Sequence, residues 1–336
     1  MSITTKFAFT ICSNNYLGQA NALKESFLRH NQYFKFYIVL VDKKSNLVDY
    51  SIFQPAQILP VQEISGLDVA ELISRYNIIE FNTAVKPSVF KHIIKLNSGA
   101  TVVYYLDPDL YFYDSLKSVN ELLKIKTAAL TPHILSPIPR DGKLPDENIF
   151  LNFGIYNLGF IGLNTKNEQS LKMLDWWEER TLKFGYNWPN LGYFVDQLWM
   201  ALAPIYYSQI EVLKTHNYNM APWNLHERSI VSIDGDKVQL NDGTHLVFYH
   251  FSKLSNTETD ISREYNRHTF NDFPKLKELY DGYKKILAEN NYQGYRKIEI
   301  AYKVKPLGPP IHQRGSFINR ALKRISLLIS KLATKF

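Results

Sequence analysis

Read for the order of apolar and polar positions, the chain opens as strand, helix, strand. Residues 7–12, FAFTIC, are an unbroken apolar run that predicts a buried strand, and Ser13-Asn14-Asn15-Tyr16 reads as the turn leaving it. Over 19–29, Ala20, Leu23, Phe27 and Leu28 recur near helical spacing; residues 36–41, FYIVLV, then return to strand and end at Asp42. This order argues for an α/β fold with a mostly parallel central sheet. In such sheets the ligand crevice opens beyond the carboxyl ends of the strands, where the 13–16 turn and Asp42 would sit.

The pattern continues with a short strand over 58–61, a helix over 68–75 and a stronger helix over 82–96, where Val85, Val89, Ile93 and Leu96 share one side. Pro87 is tolerated there if the helix effectively begins near it. Residues 100–106 return to the sheet, 119–124 predict a short helix and 128–131 a strand. Residues 132–147 hold Pro132, Pro137, Pro139, Pro145 and Gly142 and predict a long loop, a candidate wall or lid. Over 153–163 strand formers are interrupted by Gly154, Gly159 and Gly162, marking either close backbone approach to a ligand or tight bends.

A helix over 170–184 would carry Leu171, Leu174, Trp177 and Leu182 to the core. Residues 194–200 are apolar around Asp196 and Gln197, which need partners in a satisfied core network or in a site. Residues 216–228, HNYNMAPWNLHER, show no period. A hairpin is predicted over 239–247 with Asn241-Asp242-Gly243 at its turn, then a strand ending near His250. The pattern is helical from 273 to 287, and 305–314 is a Pro/Gly linker. Residues 316–336 place Ile318, Leu322, Ile325, Ile329, Leu332 and Phe336 along one face, with Arg320, Arg324, Lys331 and Lys335 mostly opposite. That basic amphipathic helix suits an anionic membrane surface, or docking on the body or on a partner. The chain thus divides into an α/β domain at 1–255, a helical extension at 256–304, and a linker with the basic helix at 305–336.

Composition narrows the function. The single cysteine, Cys12, excludes an intrachain disulfide framework and a cysteine-only zinc site. The formal charge of +7 is concentrated at the end: residues 295–336 hold ten Lys or Arg and one Glu, leaving 1–294 near −2. The body is therefore no basic platform for nucleic acid. No export signal and no apolar run of membrane-spanning length is visible, so a cytoplasmic protein is expected.

The chemistry is concentrated in 102–116, VVYYLDPDLYFYDSL. An apolar strand runs into Asp107 and Asp109, separated by Pro108. In an extended or turn segment alternate residues can face one side, and burying unpaired carboxylates is costly. Either the turn is a solvated strand cap, or a divalent cation supplies the missing charge, with hard oxygen ligands suiting Mg²⁺ or Mn²⁺.

These motifs, in this order, resemble bacterial glycosyltransferases of the GT-A fold, particularly the retaining GT8 group that includes glycogenin and the lipopolysaccharide galactosyl- and glucosyltransferases. The resemblance spans about residues 5–255. It is carried by Ser13-Asn14-Asn15, Asn82-Thr83-Ala84-Val85-Lys86, Asp107-Pro108-Asp109, Asn157-Leu158-Gly159, Asp196-Gln197, Tyr218-Asn219 before Trp223-Asn224, and His250-Phe251-Ser252.

The resemblance implies a Mn²⁺ site at Asp107, Asp109 and His250, bridged to the diphosphate of a nucleotide sugar, with Mg²⁺ able to substitute. It implies base and ribose contacts from Thr10, Cys12, Asn14 and Asp42, and a donor contact from Lys86, whose bland alternative is a solvated helix face. Asn157, Asp196 and Gln197 would hold and flank the transferred sugar. Lys253 follows Ser252 directly, where the family has a glycine before a Lys-Pro pair, and either takes over a phosphate contact or is a surface residue. Trp223, His226, Glu227 and Arg228 are candidates for the acceptor site or for loop anchoring. The implied activity is retaining transfer of a hexose, from a UDP-sugar above other nucleotide sugars, to a cell-surface glycan or lipid-linked saccharide at the inner membrane face. The rivals are an inverting GT-A enzyme with Glu227 or Asp196 as base, and a non-catalytic glycan-binding scaffold.

Overall fold

The computed structural model describes residues 5–254, 257, 259–302, 308 and 317–333. β1 (Thr5–Cys12), α1 (Leu17–His30) and β2 (Phe34–Leu40) form the opening unit that the apolar spacing predicts. β1 and β2 run parallel from Lys6 opposite Phe34 to Cys12 opposite Leu40, and β3 (Gln57–Pro60) extends the sheet beyond β2. α2 (Val69–Arg75) and α3 (Ile78–Ala84) follow. Asn77 caps α3 reciprocally with Glu80, each side chain accepting a backbone N–H of the other's turn. α4 (Lys86–Leu96) starts with Pro87 in its first turn. The helical pattern over 82–96 is thus two helices broken at Val85, because proline has no N–H to give a preceding turn.

β4 (Ala100–Leu106) pairs parallel with β1. After β5 (Leu110–Phe112), α5 (Lys117–Leu122), β6 (Ala128–Pro132) and α6 (Glu147–Phe153), β7 (Tyr156–Asn164) inserts antiparallel between β4 and β6. α7 (Glu168–Phe184) buries Ser170, Met173, Leu174 and Trp177. Leu171, expected inside, is 41% exposed: it lies on the outer side of the stripe that Ser170 and Met173 complete. The short pair β8 (Asn187–Trp188) and β9 (Tyr193–Phe194), α8 (Ala203–Tyr206) and the edge strand β10 (Ile210–Val212) complete this half. The sheet order is β10-β6-β7-β4-β1-β2-β3, with only β7 reversed. Alternate residues of β1 feed two cores: Phe7, Phe9 and Ile11 pack with α4 and α7, Ala8 and Cys12 with α1.

The hairpin expected over 239–247 forms only as a short pairing, and a second hairpin that the sequence reading did not name precedes it. β11 (Ile230–Asp234) and β12 (Lys237–Leu240) pair around Gly235-Asp236, with Gly235 at φ +57°. The Asn241–Gly243 turn closes a short antiparallel pairing in which Gln239 bridges His245, Leu240 N–H donates to Thr244 O (2.9 Å) and Leu246 N–H donates to Val238 O (2.8 Å). β13 (Phe248–His250) lies antiparallel to β5. α9 (Pro274–Glu289) and α10 (Tyr292–Arg296) follow, and Tyr280 and Tyr283 of α9 pack on Tyr249 and Phe251, the Phe251 and Tyr283 rings stacking at 3.8 Å. α11 (Phe317–Ala333) is helical as its period predicts; the 305–314 linker, Gly308 apart, and residues 316 and 334–336 lie outside the described residues. No helix among the described residues is long and apolar enough to cross a membrane.

Candidate functional site

The chain turns sharply where β4 ends. Asp107 N–H donates to Gly159 O of β7 (2.8 Å), and Leu110 N–H donates to Asp107 O (3.1 Å), closing the Asp-Pro-Asp turn. β13 pairs with β5 so that His250 lies opposite Leu110, and Phe251 N–H donates to Asp109 O (2.9 Å). Backbone ladders therefore bring together side chains far apart in sequence. His250 Nε2 lies 3.0 Å from Asp109 Oδ1 and 3.8 Å from Asp107 Oδ2, and one ligand atom from each residue falls within 4.8 Å of the others.

This cluster fits a divalent cation. Two carboxylates and one imidazole match a hard to intermediate ion and leave coordination positions open. Asn219 Oδ1 lies 3.3 Å from His250 Nδ1, so an Nδ1–H donating to it leaves Nε2 facing the carboxylates. Asn219 is fully buried and left-handed (φ +58°). Asn224 holds it by donating to the Asn219 carbonyl (2.9 Å), and Trp223 packs edge-on to the His250 ring at 5.1 Å. Gly159 forms the floor: a Cβ there would meet His250 Cε1 at 2.7 Å and Asp107 Oδ2 at 2.8 Å. Burial opposes the charged form of both partners in the closest pair. Their mutual attraction nonetheless holds the His250 pKa above, and the Asp109 pKa below, its ordinary value.

A second group is tied to the same stretch of β7. Lys86 Nζ donates to Leu158 O (3.0 Å) and pairs with Asp196 Oδ2 (2.9 Å), both side chains sealed from solvent. Burial raises the Asp196 pKa in spite of that ammonium. Gln197 Oε1 accepts Leu158 N–H (3.0 Å) while its Nε2 donates to Phe153 O (2.6 Å). Asn157 Oδ1 accepts Gly159 N–H (3.2 Å), and its Nδ2 faces His133 Nε2 at 3.3 Å. Asp196, Gln197, Asn157 and Lys86 thus share one backbone scaffold with the metal-ligand cluster. The bland reading of Lys86 as a solvated helix residue is set aside by its burial.

The first-loop residues gather at the carboxyl ends of β1 and β2. Asn14 Nδ2 donates to Asp42 Oδ2 (2.9 Å) and to Lys43 O (2.8 Å); Tyr50 OH donates to Asn14 Oδ1 (2.5 Å). Asp42 Oδ1 accepts Lys43 N–H (2.8 Å) and Ala301 N–H (2.9 Å), so this carboxylate anchors chain segments on both sides. Thr10 and Cys12 are buried within β1, and burial, reinforced by Asp42, pushes the Cys12 thiol up to about 12. Lys253, left-handed at φ +53°, is half exposed and paired with Glu264 at 2.9 Å.

Of the acceptor-side candidates, Glu227 and Arg228 are anchors. The Glu227 carboxylate accepts N–H groups of Leu135 and Ser136 and the Ser136 hydroxyl, while buried Arg228 donates to Glu227 and to the Tyr218 and His216 carbonyls. His226 Nε2 lies 3.1 Å from Ser136 O. Arg267 fastens the other end of the same loop, donating to the carbonyls of Pro139, Lys143 and Pro145 and to Asp141. The 132–147 segment is therefore a pinned wall rather than a hinged lid. Sequence reasoning passed over Tyr105, His133 and the roles of Gly159 and Asn219. The last two lie inside quoted motifs, whereas His133 has no local signal.

A mostly parallel seven-stranded sheet, with one reversed strand and an Asp-x-Asp turn after the central strand, defines a GT-A, Rossmann-like fold. The solved galactosyltransferase LgtC, in complex with donor and acceptor sugar analogs, shares that fold: it covers 86% of this chain and 99% of its own, with a TM-score of 0.52 and 12% identity. Among sequences, the chain is 26% identical over 272 residues to the Bacillus subtilis (strain 168) uncharacterized protein YfnF, covering 81% of this chain and 89% of that one. It is 23% identical over 248 residues to the uncharacterized protein YfnD of the same strain, covering 72% and 76%. No protein-family model matches the chain.

Proposed function

We propose that this protein is a metal-dependent, retaining glycosyltransferase that moves a hexose from a nucleoside-diphosphate sugar of the UDP class to a saccharide or lipid-linked acceptor. The observation that carries the proposal is the convergence of Asp107, Asp109 and His250 over Gly159, at the carboxyl end of the central strand of a GT-A fold. A bound Mn²⁺, or Mg²⁺, supplies Lewis-acid stabilisation of the diphosphate leaving group. Asn14 and Asp42, with the end of β1 at Thr10 and Cys12, would lie toward the base and ribose; Lys253 would add positive charge toward the phosphates, and Lys86 would act through its ion pair with Asp196.

Asp196, Gln197 and Asn157 would orient the sugar. Gln197 is a poor nucleophile, and its amide is held rigidly at both ends, which suits a preorganised dipole beside a developing oxocarbenium charge. Two observations support same-face transfer over an inverting reaction: Glu227 is consumed by loop anchoring, and Asp196 is paired with Lys86. Neither carboxylate stands as a free general base. The basic helix at 316–336 would bring the enzyme to the cytoplasmic, anionic face of the membrane, where a lipid-linked acceptor is met.

The test is a panel of nucleotide sugars screened for Mn²⁺-dependent hydrolysis and transfer, with the anomeric configuration of the product compared with that of the donor. Retention with a UDP-sugar is expected. Inversion would overturn the same-face mechanism, and no metal-dependent UDP binding by calorimetry would favour a glycan-binding scaffold.

A further inference from the structure

Tyr105 is the last but one residue of β4, and its side chain is not explained by core packing alone. Its hydroxyl donates to Asp107 Oδ1 at 2.5 Å, while the face of its ring carries the Lys86 ammonium at 4.2 Å. The ring is buried against Phe9 at 5.3 Å. One side chain thus touches both charge groups of the site: the acidic cluster through oxygen, and the Lys86–Asp196 pair through the ring.

The two contacts have different physical consequences. With Oδ1 occupied by the phenol, the Asp107 carboxylate is fixed in rotation and presents Oδ2, the oxygen beside Gly159 and 3.8 Å from His250 Nε2. The Lys86 ammonium and the Asp107 carboxylate both touch this one side chain, and an ammonium released from the ring could compete with a cation for that carboxylate. The ring face gives that ammonium a favourable seat while it pairs with Asp196 and donates to Leu158 O.

We propose that Tyr105 is a positioning residue that separates the site's opposite charges: its hydroxyl presents Asp107 Oδ2 to the metal, and its ring holds Lys86 on Asp196. The inference rests on the metal reading of the Asp107–Asp109–His250 cluster and assigns a role within it.

The test is Mn²⁺ affinity, read by EPR of free Mn²⁺ in a titration of the full chain without donor sugar, on wild type, Tyr105→Phe and Tyr105→Leu, with thermal unfolding alongside. Tyr105→Phe keeps the ring and should weaken Mn²⁺ on the order of 10-fold, the usual effect of losing a ligand-orienting group, with little change in Tm. Tyr105→Leu, which also frees the ammonium, should weaken it further than Phe does. Tyr105→Phe binding Mn²⁺ as tightly as wild type overturns the hydroxyl's role, and Leu matching Phe overturns the ring's. A wild-type protein that binds no Mn²⁺ would remove the metal reading itself, a result separable from either of these.

Discussion

The Lys86 ammonium lies 2.9 Å from the Asp196 carboxylate, and only 3% and 1% of the two side chains reach solvent. A sealed ion pair is held together less by its net worth than by the cost of breaking it, since removing one partner strands the other charge. Lys86→Met should therefore destabilise the protein by about 3–5 kcal/mol in urea unfolding, whereas Lys86→Met with Asp196→Leu should recover most of that loss. A loss below ~1 kcal/mol for the single variant would mean that water reaches the pair.

Gly159 gives a prediction that separates floor from ligand. A Cβ there would crowd His250 Cε1, Asn157 Oδ1 and Asp107 Oδ2 at 2.7–2.8 Å, and none of these is the free end of a flexible chain. Gly159→Ala should cost about 1–3 kcal/mol of stability through overpacking. It should also weaken Mn²⁺ by at least roughly 10-fold in calorimetry, although every ligand atom is still present. Unchanged Mn²⁺ affinity would place the ion away from this floor.

How far this architecture could be read beforehand depended on whether a signal was local. The 7–12 and 36–41 strands, the intervening helix and the Pro87 helix start were legible because apolar period and proline chemistry act within a few residues. The reversal of β7 was not, since a strand buried on both faces looks alike in either direction. Of the two glycine turns that form in this stretch, at Gly235 and Gly243, only the second was legible, because its Asn-Asp-Gly run is the stronger local turn signal. In the site, Asp107, Asp109, His250, Asp196 and Gln197 were all named from motifs. What they do to one another was invisible, because it depends on Leu158 and Gly159 backbone groups that carry no side-chain signal.

His133 gives the clearest pH dependence. Burial, with a smaller push from His250, lowers its pKa from 6.5 to about 3, so the folded protein keeps the ring neutral where an unfolded chain protonates it. Below pH 6.5 the unfolded state then binds the extra proton, and stability falls as pH drops toward 3. This one residue contributes a slope approaching ~1.4 kcal/mol per pH unit once the unfolded histidine is fully charged. His133→Asn keeps an acceptor for the Asn157 amide but cannot titrate. Its urea midpoint should therefore fall less between pH 6 and 4.5 than that of wild type, and parallel curves would show that His133 is solvated or protonated in the fold.

The basic helix carries the last prediction. Leu322, Ile325, Leu328, Ile329 and Leu332 are 52–62% exposed along α11, whose sequence also holds Arg320, Lys323, Arg324 and Lys331 and no acid. An apolar row left in water beside cations is stabilised by an anionic lipid surface through both terms at once: burial of the row, and on the order of 1 kcal/mol per basic residue near the headgroups. Full-length protein should co-sediment with phosphatidylglycerol vesicles, bind phosphatidylcholine vesicles weakly, and be released in part by salt, which screens only the second term. Ile325→Glu with Ile329→Glu keeps the cations and breaks the row. It should abolish sedimentation without altering Mn²⁺ affinity, because the metal-ligand cluster is built from the turn between β4 and β5 and from β13 and takes nothing from α11. Equal sedimentation of the two proteins would overturn the membrane role of the apolar row.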